Sequence, residues 1–142
     1  MAQRESKLKR AGSGFPSPAE DWLEPRLRLD DLIERPASTF LVRARGQAMA
    51  GDGIREGDVL VVDRSVTPRA GAVVVAYCRG EMLVRRLTIR AGVAWLTAPG
   101  GEPALEMDSE QGDILWGVVC YGIHAFDPEP APSRALGRDN PS

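Results

Sequence analysis

The chain has 142 residues, 43% of them hydrophobic and 27% charged, which suits one soluble globular domain with a single modest core and some tail. A formal net charge of −2 excludes a global electrostatic footprint for nucleic acid. No apolar run is long enough to span a bilayer, no charged-then-apolar signal opens the chain, and no membrane partner is expected. Only two cysteines are present, Cys78 and Cys120, so a disulfide framework is not expected and a cytosolic setting is the default. Both lie in strand-like apolar runs and read as buried thiols.

From the amino terminus, residues 1–14 are polar and read as a flexible arm. The arm is basic: Arg4, Lys7, Lys9 and Arg10 stand against Glu5 alone, and Lys7 and Lys9 are the only lysines in the chain. The prolines of FPSPAEDW (15–22) force an extended entry. RLRLDDLIERP (26–36) predicts a short helix ended by Pro36, with Leu29, Leu32 and Ile33 on one face. From Ser38 the pattern changes to short β-branched or alternating runs: STFLVRAR, GDVLVVD, AGAVVVAYC, GEMLVRRLTIR, GVAWLTAP and GDILWGVVCYGIHAF. Glycine or proline punctuates nearly every gap. Six such strands without a long helical period predict an all-β domain over 15–126, built as a highly curved, barrel-like or sandwich-like sheet. The last 16 residues, 127–142, are polar and proline-rich and predict a disordered tail.

Within this pattern, RGQAMAGDGIREGDVLVVD (45–63) has the form of a frame for a reactive side chain. Gly46 and Met49 flank a small residue, a glycine turn follows at Gly53, and Gly57 and Asp58 lead into a buried strand. The stretch resembles the nucleophile segment of the LexA/UmuD self-cleaving Ser–Lys peptidases, matching at Gly46, Met49, Gly53, Ile54, Gly57, Asp58, Leu60 and Asp63. GEMLVRRLTIR resembles the lysine-bearing strand of that family, and GFPSPAEDWLEPRLRLDDLIERPASTFLVRARG resembles the UmuD branch from its cleavage segment onward. Three motifs in matching order, from about Gly14 to Ala125, make the resemblance specific. It implies a LexA-type peptidase domain. Only some forty residues precede the first core strand, much of them proline-rich, so no recognition helix fits and no sequence-specific DNA binding is expected.

By the resemblance, the nucleophilic serine falls at Ala48 and the general-base lysine, roughly three dozen residues later, at Arg85. That chemistry needs a hydroxyl and a neutral amine, the amine's pKa being lowered by burial in an apolar cleft. A methyl group cannot attack, and a guanidinium stays protonated and cannot serve as base. Ser38 and Ser65 lie outside the frame, and no lysine follows Lys9. His124, the only histidine, reads as a partly exposed strand-end residue. Asp30 with Asp31, and Glu106 with Asp108, read as solvated caps or loops. No CxxC, HExxH or phosphate-binding glycine loop points to a metal or cofactor. The catalytic positions are therefore expected to be degenerate and the peptidase inactive. Gln47, where the UmuD branch implies an acidic residue, makes a third departure and favours natural loss over one engineered substitution.

The cleavage segment is better kept. By resemblance the scissile bond is Ser13–Gly14, which only an active homologue could cut in trans. The resemblance further implies a homodimer, contact with RecA filaments, and assistance to a Y-family polymerase in SOS mutagenesis. Two alternatives stand beside this: an active serine autopeptidase with an unusual nucleophile, and a non-catalytic partner that titrates a functional UmuD- or LexA-like protein.

Overall fold

The computed structural model describes residues 27–127. The arm, the Ser13–Gly14 bond and all but the first residue of the tail lie outside the described residues. The chain divides into two units, Met1–Glu34 and Arg35–Ser142. In the described part of the first, the expected short helix is a single 3-10 turn, Leu29–Leu32. Ile33 N donates to Asp30 O at 3.1 Å, and the Arg28 N–H donates to the Asp31 carboxylate at 2.9 Å. One turn with two aspartates at its start cannot repay α-helix nucleation. The expected apolar face is correspondingly incomplete: Leu32 and Ile33 are partly buried, but Leu29 is 71% exposed.

The second unit is all-β. After a 3-10 turn at Pro36–Ser38, seven strands follow: β1 (Thr39–Arg43), β2 (Val59–Asp63), β3 (Val73–Cys78), β4 (Glu81–Arg90), β5 (Val93–Thr97), β6 (Leu105–Glu106) and β7 (Ile114–Ile123). All pairings are antiparallel, and the sheet runs β1-β2-β7-β3-β4-β5-β6. Six strands are those expected; the two-residue β6 is an addition, too short to leave a periodic signal. β7 crosses back to lie between β2 and β3, so it is an interior strand, hydrogen-bonded on both sides.

The core lies on both faces of the sheet, which explains the near-continuous apolar strands. On β3, Val74, Ala76 and Cys78 join Leu87, Leu96 and Val118 in one cluster. Val75, pointing to the opposite face, joins Ala44, Leu60 and Val62 in the other. Two β-bulges bend β7 against its neighbours, between Val61 and Val62 and between Val75 and Ala76. The first corrects the reading of Cys120. Val61 faces Tyr121 and Val62 faces Val119, so Cys120 is the extra residue of the bulge; it is exposed, whereas Cys78 is 2% exposed. Among the described residues no helix is long and apolar enough to cross a membrane.

Candidate functional site

The frame segment is the long connection between β1 and β2. Its base is closed by two backbone bonds, Ala44 N to Asp58 O at 2.8 Å and Gly57 N to Ala44 O at 2.9 Å. Met49 is 3% exposed and anchors the loop in the interior, while its carbonyl accepts from the N–H groups of Asp52 (3.0 Å) and Ile54 (3.1 Å). Gly46 at φ 76° and Gly53 at φ 90° take left-handed conformations that a side chain would strain, which is why glycine stands at both ends of the turn. Between them Ala48 sits, half-buried, two residues before the start of the 3-10 turn Ala50–Asp52.

The β5–β6 connection presses on this turn. A Cβ at Gly100 would lie 3.2 Å from Ala48 O, and one at Gly51 would lie 3.0 Å from the Pro99 ring. The carboxylate of Asp58, 4% exposed, stiffens the far end. It accepts from Arg55 N at 2.9 Å and sits 2.6 Å from His124 Nδ1. The strand-end histidine is thus a structural partner of the frame and also meets Phe126 edge-on, with ring centroids 4.8 Å apart. Because 66 residues separate His124 from Asp58, no local sequence pattern announces the pair.

The second half of the site comes from β4. Arg85 is half-buried, and its Nη1 donates to Val84 O at 2.8 Å. The next residue, Arg86, reaches across to the frame: its Nε donates to Asp52 at 3.0 Å, and its Nη1 bonds Gly71 O. Sequence reasoning missed this ion pair, which spans 34 residues and ties β4 to the frame loop.

A cavity of about 750 Å³ lies between these parts, lined from the frame by Arg45, Gly46, Gln47 and Ala48, from β1 by Val42 and Arg43, from β3 by Val75, from β4 by residues 81–85 and from the β5–β6 connection by Glu102. Ala48 and Arg85 therefore line one cavity although β1 and β4 are not neighbours in the sheet. Gly53, Gly57 and Asp58 do not line it; they shape the loop behind it. The cavity walls carry guanidinium, carboxylate, amide, thioether and aliphatic groups but no hydroxyl, thiol or imidazole side chain. Among the described residues, no group of three or more histidine, cysteine, aspartate or glutamate side chains could hold a metal ion.

Away from the cavity, Asp63 closes the end of β2. It is 4% exposed and accepts from Ser65 N (2.8 Å), Ser65 Oγ (2.7 Å), Ser38 Oγ (2.9 Å) and Arg35 Nη1 (3.0 Å). These bonds, those from Ser65 foremost, hold its carboxyl down at about 2. Asp113 is likewise held below the usual carboxylate range, by the backbone N–H groups of Arg79 and Asp108, and it pins the β3–β4 turn to the start of β7. Burial pushes the Cys78 thiol up, consistent with an inert core residue.

An all-β domain in which a glycine-framed turn and a β4 side chain share one cleft defines the class: the chain belongs to the peptidase S24-like family, whose sequence pattern it matches over residues 7–114. Over 116 residues it is 40% identical to Protein ImpA of Escherichia coli, covering 81% of this chain and 79% of that protein. Protein MucA of Escherichia coli is 35% identical over 118 residues, 82% of this chain and 81% of MucA. The LexA repressor of Ectopseudomonas mendocina is 33% identical over 117 residues, 82% of this chain but 57% of the repressor. The resemblance read from the frame, the β4 strand and the proline-rich entry thus holds at the level of the family.

Proposed function

We propose that this protein is a UmuD-like accessory protein of SOS mutagenesis, cytoplasmic and homodimeric, whose own peptidase centre is inert. In this reading it engages RecA filaments and assists a Y-family translesion polymerase. The role rests on membership of the peptidase S24-like family and on similarity to ImpA, SamA and MucA across most of each chain. The inert centre rests on one observation: the frame is intact in its turns and its buried anchor, yet Ala48 and Arg85 are what it presents to the cavity. Catalysis needs the reacting atoms, whereas partner surfaces do not, so one can be lost while the other persists. The Ser13–Gly14 bond remains a substrate for an active homologue acting in trans.

Incubation of the full chain with RecA, ATP and single-stranded DNA tests both parts. Co-sedimentation with RecA filaments and an unchanged band on denaturing gels are expected. A shorter band would overturn the inert centre, and a chain that stays in the supernatant would overturn the accessory role.

A further inference from the structure

Three arginines, Arg43, Arg45 and Arg85, line the cavity beside Ala48. Among the described residues none of them is within ion-pair distance of a carboxylate; the pairs formed there are Arg35–Asp63, Arg86–Asp52 and His124–Asp58. Glu81 and Glu102 also line the cavity but are exposed and pair with none of the three. Arg43 is held through Nη1, which donates to Gly57 O at 2.8 Å, while its Nη2 is buried with no hydrogen-bond partner. Arg85 is held through Nη1 on Val84 O. A buried, charged donor without an acceptor is rare and points to a missing partner. Three guanidiniums outnumber the two carboxylates of Glu81 and Glu102 in this cavity, and its apolar walls at Val42, Val75 and Val84 favour pairing of the excess positive charge with an anion.

We propose that the cleft is a carboxylate receptor, holding the free C-terminal carboxylate of an extended peptide through Arg43 and Arg85 with its terminal carbon above Ala48. This deepens the reading of the chain as an inert peptidase-like protein. The methyl of Ala48 leaves space where a nucleophile would stand, and a carboxylate carries an extra oxygen at the place where an intact amide continues into chain. Arg85 is anchored through one nitrogen only, so its other nitrogens can turn toward an entering acceptor and pair in a forked, charge-assisted geometry, with the unpartnered, buried Nη2 of Arg43 behind it. The cavity size suits a few residues and not a folded partner.

The test is titration calorimetry on the full chain with acetylated Ala-Gly-Ser, the sequence of residues 11–13, as its free acid. Two control peptides accompany it: the same tripeptide amide, and acetylated Ala-Gly-Glu amide, which offers a side-chain carboxylate instead. The free acid is expected to bind roughly tenfold or more tightly than either amide, and added salt should narrow the gap. Arg85→Gln and Arg43→Gln should each remove most of the preference, with far-ultraviolet circular dichroism unchanged. Arg85 makes fewer frame contacts, so its variant decides the matter if Arg43→Gln does not fold. Equal binding of acid and serine amide, or no binding of either, would overturn the receptor. Equal binding of the glutamate amide would overturn its assignment to a chain terminus. All three outcomes leave RecA co-sedimentation untouched, so failure here is separable from failure of the accessory role.

Discussion

Ala48 and Arg85 make an experiment available at the scale of two side chains. If the frame keeps its shape, activity requires both reacting atoms at once. Ala48→Ser alone supplies a nucleophile without a base, and Arg85→Lys alone supplies a base with nothing to activate. Neither the parent nor either single variant should cut, and only the double variant should cut at Ser13–Gly14, since residues acting as one unit are strongly non-additive. The rate should be slow and faster at alkaline pH, because a lysine amine left wet keeps a pKa near about 10.4. Mass spectrometry of the products locates the cut; a folded but inert double variant would mean the frame geometry has drifted. A second residue-scale expectation concerns Asp63. Its folded carboxyl sits at about 2 against an ordinary 3.8. A depressed value contributes stability that is fully present above the unfolded value and is lost as pH falls through the folded one. Thermal unfolding followed from pH 5 downward should show the parent losing stability between about 4 and 2. Asp63→Asn should be less stable at neutral pH and should lose this part of the acid dependence.

At the scale of elements, a side chain of β2 packs tightly on the backbone of β7 at Gly117. A Cβ there would lie 2.6 Å from Val62 Cγ1 and 3.4 Å from the Arg64 side chain. Valine is stiff about χ1, and Val62 is fully buried, so it cannot simply turn aside. Gly117→Ala should therefore cost about 1–3 kcal/mol by overpacking. Val62→Ala alone should also destabilise, by leaving a cavity, but the pair should be less damaging than the sum of the two, a coupling that a double-mutant cycle in urea measures. Simple additivity would show that the strands can part without cost. The same packing explains why GDILWGVVCYGIHAF carries glycine in mid-strand: β7 is an interior strand, and residue 117 is where a neighbour's side chain crosses its backbone.

At the scale of the whole molecule, the sheet leaves apolar groups on its outer side. Leu41 of β1 faces Val61, which faces Tyr121 of β7, and one register step along lie Val59 and Ile123. Leu41 is 59% exposed, Tyr121 45% and Ile123 46%. Exposed apolar groups on neighbouring strands, on either side of the buried Val61, suit a second copy of the chain better than water. Light scattering at micromolar concentration should give about twice the chain mass of 15.4 kDa. Leu41→Glu with Tyr121→Glu should return the protein to a monomer without unfolding it. A monomeric parent would remove the homodimer from the proposed function.

Much of this protein is legible in its sequence. Six strands announce themselves because β-branched runs and glycine breaks are local properties. The frame from Arg45 to Asp63 is legible because left-handed turns demand glycine at Gly46 and Gly53 whatever surrounds them. The absence of a hydroxyl at residue 48 and of an amine at residue 85 is likewise written in the chain. Tertiary structure decided the rest. The one-turn fate of 29–32, the exposure of Cys120 in a bulge, the Asp58–His124 and Asp52–Arg86 pairs, and the gathering of Arg43, Arg45 and Arg85 in one cavity all depend on which strands meet. Strand order and curl arise from contacts between residues far apart in the chain, summed over the whole core, and no short stretch of sequence carries that sum.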